Sequence, residues 1–337
     1  MTAKHFYIVT AAYNEEKTLA RSVDSVFRSA AFHGKSDVGA SCDLIICHNG
    51  CTDRTPLLAK TIRNRYSGEN FRIHIISSPK GMVLAQTASV EYIRMQKNND
   101  PIIFFDADSF MDEGVIHAFL GQFKRHPGLR AVGARQVPIP YSGASPIKRM
   151  WDKVFNCRAY YPRSEIAVRF ATQFHPYADS DPQPDYVEFE KKSKIYFHGR
   201  CFALKDQSVW DVPKNHVGED TYLDRSINYR FEPGSIRTLF TAKVYFQPIT
   251  SLRVFARTFY RVYRDLKALK QANPQYNEVR EYSKTRLDWD YIKSLPLKWR
   301  LAFRIYSGIR QICHFLFKHN LIYSKKSAMD IWSYEKK

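Results

Sequence analysis

Two carboxylates one residue apart end the most apolar stretch of the chain, IIFFDADSF. At the end of a buried strand, Asp106 and Asp108 both leave the sheet at its rim. Together they can hold a hard divalent cation, Mg2+ or Mn2+, against diphosphate oxygens. The plainer reading makes them solvated strand-end residues, with Asp108 capping a helix that starts near Met111. A second acidic pair, Glu219-Asp220, follows a glycine and opens a helix, where the dipole favours negative charge. Capping and general-base chemistry both suit that pair. Other polar groups fall directly after apolar runs: Tyr13-Asn14-Glu15, His48-Asn49-Gly50 and Lys80-Gly81.

The elements that must position these groups alternate along the first half. HFYIVTA, DLIICH, FRIHIISS and PIIFFDA are β-rich runs, and the segments between them carry helical periodicity, with Leu19, Val23, Val26 and Phe27 on one face of the first. Continuous apolar strands separated by helices predict an α/β fold, a mostly parallel sheet sandwiched by helices. Ligands of such sheets bind beyond the carboxyl ends of the strands, where the polar turns lie. LRAVGARQVP and KIYFHGRCFAL read as further strands; 140–194, rich in Tyr, Pro and Asp, reads as an insertion or loop. From these shifts we expect a catalytic domain over 1–250, with a nucleotide-binding half (1–110) and an acceptor and catalytic half (111–250), and a helical extension over 251–337.

With 337 residues, 44% hydrophobic and 15% aromatic, the chain has enough apolar surface to exclude disorder. Fifty-two Lys and Arg against 33 Asp and Glu give +19, which points to an anionic partner. Residues 251–337 hold 19 basic against 7 acidic residues, so +12 of that charge sits there. On a helix from Ser251, Arg253, Arg257, Arg261, Arg264 and Lys267 share a stripe opposite Leu252, Phe255, Phe259, Val262, Leu266 and Leu269. After Pro296, Leu301, Ile305, Ile309, Ile312 and Leu316 oppose Arg300, Arg304, Arg310 and Lys318. Such helices either pack on the domain or lie on an anionic membrane surface. No apolar run reaches the ~20 residues of a membrane span. Six cysteines, without a Cys-x-x-Cys pair or secretory leader, fit a reducing compartment: cytoplasmic, or peripheral on the inner face of a membrane. Cys42, Cys47 and Cys51 beside His48 match no common zinc spacing.

Five segments in order, IVTAAYNEEKTLARSVDSV, DLIICHNGCTDRTPLLAK, SSPKGMVLAQ, IIFFDADSFMD and FHGRCFALKDQSVWDVPKNHVGEDTYL, resemble the inverting family 2 glycosyltransferases of GT-A (Rossmann-like) fold over about 4–265. The resemblance implies a nucleotide-sugar transferase. It matches Ala11, Tyr13 and Glu15 to the turn that contacts base and ribose, Asn49 and Gly50 to the turn after the second strand, with Asp53 and Thr55 opening the next helix, and Lys80 to the basic residue near the nucleotide. It matches Asp108 to the metal ligand, Asp106 to metal or ribose with Ala107 between them, and Asp220 to the catalytic base, Glu219 beside it. Arg257 and Arg261 stand where many relatives carry Gln-x-x-Arg-Trp near the acceptor and diphosphate. ARTFYRVY lacks the Trp, which argues against a processive synthase. His48 replaces an acidic residue that reads the nucleobase, and a neutral imidazole can still accept a hydrogen bond, so UDP and GDP both stay open. His216 reads as a core or surface residue before a metal or phosphate contact.

The expected activity is transfer of a hexose-type sugar from a UDP- or GDP-sugar to a glycan or lipid-linked acceptor, with no nucleic acid as partner. A sugar-phosphate nucleotidyltransferase would carry a Gly-rich loop after the first strand, and AAYNEEKTL has no glycine. A non-catalytic nucleic-acid or membrane-binding module would explain the +19, yet its phosphates would be repelled by Asp106, Asp108, Glu219 and Asp220.

Overall fold

The computed structural model describes residues 4–140, 145–167, 197–231, 234–279 and 285–322. Its elements, in chain order, are β1 (His5–Ala12), α1 (Leu19–Ser36), β2 (Ser41–Asn49), α2 (Thr55–Tyr66), β3 (Phe71–Ser78), α3 (Met82–Met95), β4 (Ile102–Phe105), β5 (Phe110–Met111), α4 (Val115–Arg125) and β6 (Ala131–Pro138). They continue with α5 (Pro146–Tyr160), β7 (Glu165–Ala167), β8 (Cys201–Leu204), α6 (Glu219–Arg230), β9 (Ile236–Phe246), α7 (Leu252–Ala272), β10 (Thr285–Leu287), α8 (Trp289–Ser294) and α9 (Leu297–Lys318). The chain divides into two compact units, Met1–Gln136 with Ile195–Phe246, and Val137–Lys194 with Gln247–Lys337. This division groups 137–194 with the C-terminal residues, whereas the sequence expectation keeps them in 1–250. The acidic and proline-rich run YADSDPQPDY lies outside the described residues.

In the first unit an eight-stranded sheet runs β3-β2-β1-β4-β8-β6-β9-β5. β3, β2, β1 and β4 are parallel, and β8 joins β4 antiparallel. The α/β sandwich expected from the sequence follows from alternation along the strands. Phe6, Ile8 and Ala12 of β1 pack with Leu44 and Ile46 of β2 and with Leu19, Val23 and Val26 of α1. Ala11 and Cys47 point the other way, onto Ala85 of α3. Strands buried on both faces favour apolar residues, which is why their middles, 6–9 in β1 and 44–47 in β2, are apolar. One local expectation fails: Phe110–Met111 is a strand paired with β9, and the following helix begins at Val115, so Asp108 does not cap it.

The described residues of the second unit are mostly helical. Phe155 of α5 stacks on Phe255 of α7 with ring centroids 4.5 Å apart, and both pack with Phe303 and Tyr306 of α9. β7 and β10 pair antiparallel. Glu165 on β7 is buried, ion-paired to Arg158 and accepting a hydrogen bond from the Thr285 hydroxyl at 2.7 Å. In α7, Arg253 and Lys267 are exposed and Arg257, Arg261 and Arg264 half-buried, while of the apolar stripe Phe255 and Leu269 are buried and Leu252, Val262 and Leu266 exposed, so neither stripe is wholly buried or wholly water-facing.

Candidate active site

Because β1, β2 and β4 are parallel, the turns after them meet at one rim of the sheet. Asn49, at the end of β2, is 1% exposed and ties the rim together. Its Nδ2 donates to the Ala12 carbonyl at 3.1 Å, and its Oδ1 accepts from the Gly81 N–H at 3.3 Å. Gly50 has φ +63°, and a Cβ there would meet Lys80 Cβ at 2.9 Å and Lys80 Cα at 3.3 Å, so only glycine fits between the two turns. That close approach brings Lys80 over the Tyr13 ring, 4.4 Å from its centroid, with Nζ donating to the Tyr13 hydroxyl at 2.7 Å. Tyr13 and Glu15 are buried, and the Glu15 N–H donates to Thr55 Oγ1 at 2.7 Å while its carboxylate accepts from Thr18 at 2.6 Å. Asp53 accepts from the Glu16 and Thr55 N–H groups and fixes the start of α2. His48 is held below its ordinary pKa by burial and by the Lys60 ammonium, which keeps the ring neutral at pH 7. Ala11 and Ala107 are buried.

The acidic groups meet one strand further along. β8 runs antiparallel to β4 with Phe105 opposite Cys201, so the residues just before β8 lie beside those just after β4. The Asp106 N–H donates to the Arg200 carbonyl at 2.9 Å, extending the ladder one step. Arg200 Nη1 lies 3.9 Å from Asp106 Oδ2 and 3.7 Å from Asp108 Oδ1, and its guanidinium stands 4.4 Å over the Phe246 ring. Gly199, the preceding residue, donates its N–H to Asp220 Oδ2 at 3.0 Å, and Asp220 Oδ1 accepts from the Thr221 N–H at 2.7 Å. A Cβ on Gly199 would come within 2.8 Å of Glu219 Oε1 and 3.4 Å of Asp220 Oδ2, so the glycine lets both carboxylates approach the backbone. Two adjacent residues thus bind the acidic pair after β4 and the one that opens α6. Arg200 and Gly199 carried no role in the sequence reading. Their signal is the Gly-Arg pair immediately ahead of the apolar run CFAL, meaningful only once β8 is known to be antiparallel to β4.

Arg200 thus stands beside both Asp106 and Asp108. Among the described residues no three His, Cys, Asp or Glu side chains form a complete cation cage. Two carboxylates already drawn to one positive nitrogen fit Mg2+ or Mn2+ completed by substrate phosphate oxygens, the usual way those ions are held at diphosphates. Arg257 and Arg261 lie on α7, in the second unit. His216 packs its ring edge-on against Tyr222 at 5.2 Å. The six cysteines are free thiols, and Cys51 donates to the Ala12 carbonyl.

The mostly parallel α/β sheet with helices on both faces has the architecture of the GT-A class of sugar transferases. The family model of glycosyl transferase family 2 matches residues 7–177, just over half of the chain, and the chain belongs to that family; it is a glycosyltransferase. Among solved structures, the mannosyltransferase PcManGT from Pyrobaculum calidifontis, in complex with GDP-Man and Mn2+, shares the fold at 12% identity and TM-score 0.54, over 98% of this chain and 83% of that one. Weaker likenesses, both at TM-score 0.46, are residues 1–349 of TarS from S. aureus (11% identity, 95% and 74% covered) and glucosyl-3-phosphoglycerate synthase from Mycobacterium tuberculosis (14% identity, 78% of each chain covered). No curated protein matches the sequence.

Proposed function

We propose that the chain moves a hexose-type sugar from a UDP- or GDP-sugar to an acceptor hydroxyl with inversion, one transfer per encounter. What supports this reading is the backbone step Gly199-Arg200: the Gly199 N–H donates to Asp220 while the Arg200 side chain lies beside Asp106 and Asp108. Inverting transfer is a single in-line displacement at the anomeric carbon, so it needs a base for the acceptor proton and positive charge for the leaving diphosphate. Asp220 takes the proton, its carboxylate held in position by the Gly199 and Thr221 N–H groups. Asp108, with Asp106, holds Mg2+ or Mn2+, which when bound supplies a Lewis acid at the diphosphate. Arg200 keeps the two carboxylates together when they would otherwise repel.

Tyr13, braced by Lys80, and the turns carrying Ala11, Glu15, Asn49 and Ala107 bind the nucleoside, Asn49 by holding the turns and not by direct contact. Arg257, Arg261 and Glu219 serve the acceptor and diphosphate side. The acceptor is a glycan or a lipid-linked species, and the protein works in the cytoplasm, peripheral to the inner face of a membrane. PcManGT, which shares the fold, was solved with a donor and metal of this class. The test is turnover of UDP- and GDP-sugars with and without chelator, with the product anomer read by NMR. Transfer in chelator would overturn the metal assignment, and a retained anomeric configuration would overturn the single displacement.

A further inference from the structure

α9 carries two apolar faces where packing needs one. Ala302, Phe303, Tyr306, Cys313 and Phe317 are buried, Phe303 and Tyr306 with Phe155 of α5 and Phe255 of α7, Cys313 and Phe317 with Tyr260 of α7. On the other side Leu297 (71% exposed), Leu301 (55%), Ile305, Ile312 (62%) and Phe315 (56%) face water. At 100° per residue these five fall within an arc of about 80°, away from the buried face. Scattered exposed apolar side chains are ordinary, but a continuous stripe along a 22-residue helix marks an interaction surface.

The charges around it choose the partner. α9 has Lys298, Arg300, Arg304, Arg310 and Lys318 and no Asp or Glu. Arg300, Arg304 and Lys318 are exposed along one edge of the stripe, and Lys298 stands at the other edge. A second copy of this chain meeting the face in a two-fold arrangement would set cations against cations. An anionic lipid surface accepts both the stripe and its basic margins. No helix among the described residues is long and apolar enough to cross a bilayer, so α9 would lie in the plane of the surface.

We propose that α9 lies along an anionic bilayer, with Leu297, Leu301, Ile305, Ile312 and Phe315 among the acyl chains and the basic residues at the phosphates. This deepens the peripheral-membrane part of the reading above, on which it rests, and is independent of the sugar-transfer part. The test is co-sedimentation of the full chain with vesicles of phosphatidylcholine alone and of phosphatidylcholine with phosphatidylglycerol, alongside donor binding in solution. The full chain should bind the anionic vesicles, and less as salt rises. Each cation near such a surface contributes roughly fivefold, so the Arg300→Gln/Arg304→Gln/Lys318→Gln variant should bind on the order of 100-fold more weakly. Leu301→Gln/Ile312→Gln should lose on the order of 10-fold or more. Both variants change exposed residues, so they should keep the circular dichroism and donor affinity of the parent, and a loss confined to vesicle binding leaves the sugar-transfer reading untouched. Equal binding to both vesicle types, or unchanged binding by both variants, would overturn the proposal. So would a dimer in sedimentation velocity that Leu301→Gln/Ile312→Gln dissolves, which would assign the stripe to a second copy.

Discussion

Asp220→Asn removes one charge from the proposed site and almost nothing of the side chain's size. Asp220 accepts two backbone N–H groups, Gly199 at 3.0 Å through Oδ2 and Thr221 at 2.7 Å through Oδ1. An amide has one oxygen, so one of those donors faces an NH2 group and loses its acceptor. A hydrogen bond to a charged group contributes about 1.5–3 kcal/mol, and the fall in Tm should be several degrees at most, leaving the variant folded. The effect on turnover should be far larger. A positioned base contributes about 100- to 10,000-fold, equivalent to about 3–5 kcal/mol of barrier. Donor affinity, which does not draw on the acceptor proton, should be unchanged. Initial rates and a calorimetric donor titration on the same preparation separate the two. A kcat retained to within about tenfold would refute Asp220 as the base. Loss of donor binding together with turnover would show instead that the carboxylate holds the site together.

Two further predictions concern stability. A methyl group on Gly133 would overlap Cβ of Phe197 and lie 3.2 Å from its Cα, whereas one on Gly114 meets nothing within 4 Å. Gly133→Ala should therefore cost about 1–3 kcal/mol as a shift in denaturation midpoint at constant slope, and Gly114→Ala close to nothing; equal midpoints would contradict this packing. His5 Nδ1 lies 2.8 Å from Asp100 and Nε2 lies 3.4 Å from Asp43. Burial lowers its pKa, but the hydrogen bonds and charges of Asp43 and Asp100 outweigh that and leave it above the ordinary 6.5. The contribution of these pairs is then complete below pH 6.5 and disappears as pH rises through the folded value. His5→Gln should flatten the Tm profile over that window, and an unchanged profile would sink the assignment.

The parallel half of the sheet was legible because strands buried on both faces are mostly apolar: β4 is so over its whole length, and β1 and β2 over 6–9 and 44–47. Asp106, Asp108 and Asp220 were legible because polar groups directly after such runs, or at a helix start, have few positions open to them. Arg200 was not, since its neighbours Asp106 and Asp108 lie more than ninety residues earlier and meet it only through the β4 and β8 pairing. The helices of the second unit show a different limit. Periodicity groups Leu301, Ile305, Ile309, Ile312 and Leu316, but the fold buries 302, 303, 306, 313 and 317 instead. A helix rich in apolar residues on two sides does not say which side meets the core. In α7 the same ambiguity turned Leu252, Val262 and Leu266 outward.

The central claim is that Asp106 and Asp108 grip a diphosphate through a divalent ion, and donor-induced thermal stabilisation reads it directly. With one matching UDP- or GDP-sugar at about 100 times its Kd, binding should add about 2.7 kcal/mol and raise Tm, in Mn2+ but not in chelator. Asp108→Asn should abolish that rise while keeping its own ligand-free Tm close to that of the parent. A rise of equal size in chelator, or one that survives Asp108→Asn, would contradict the claim.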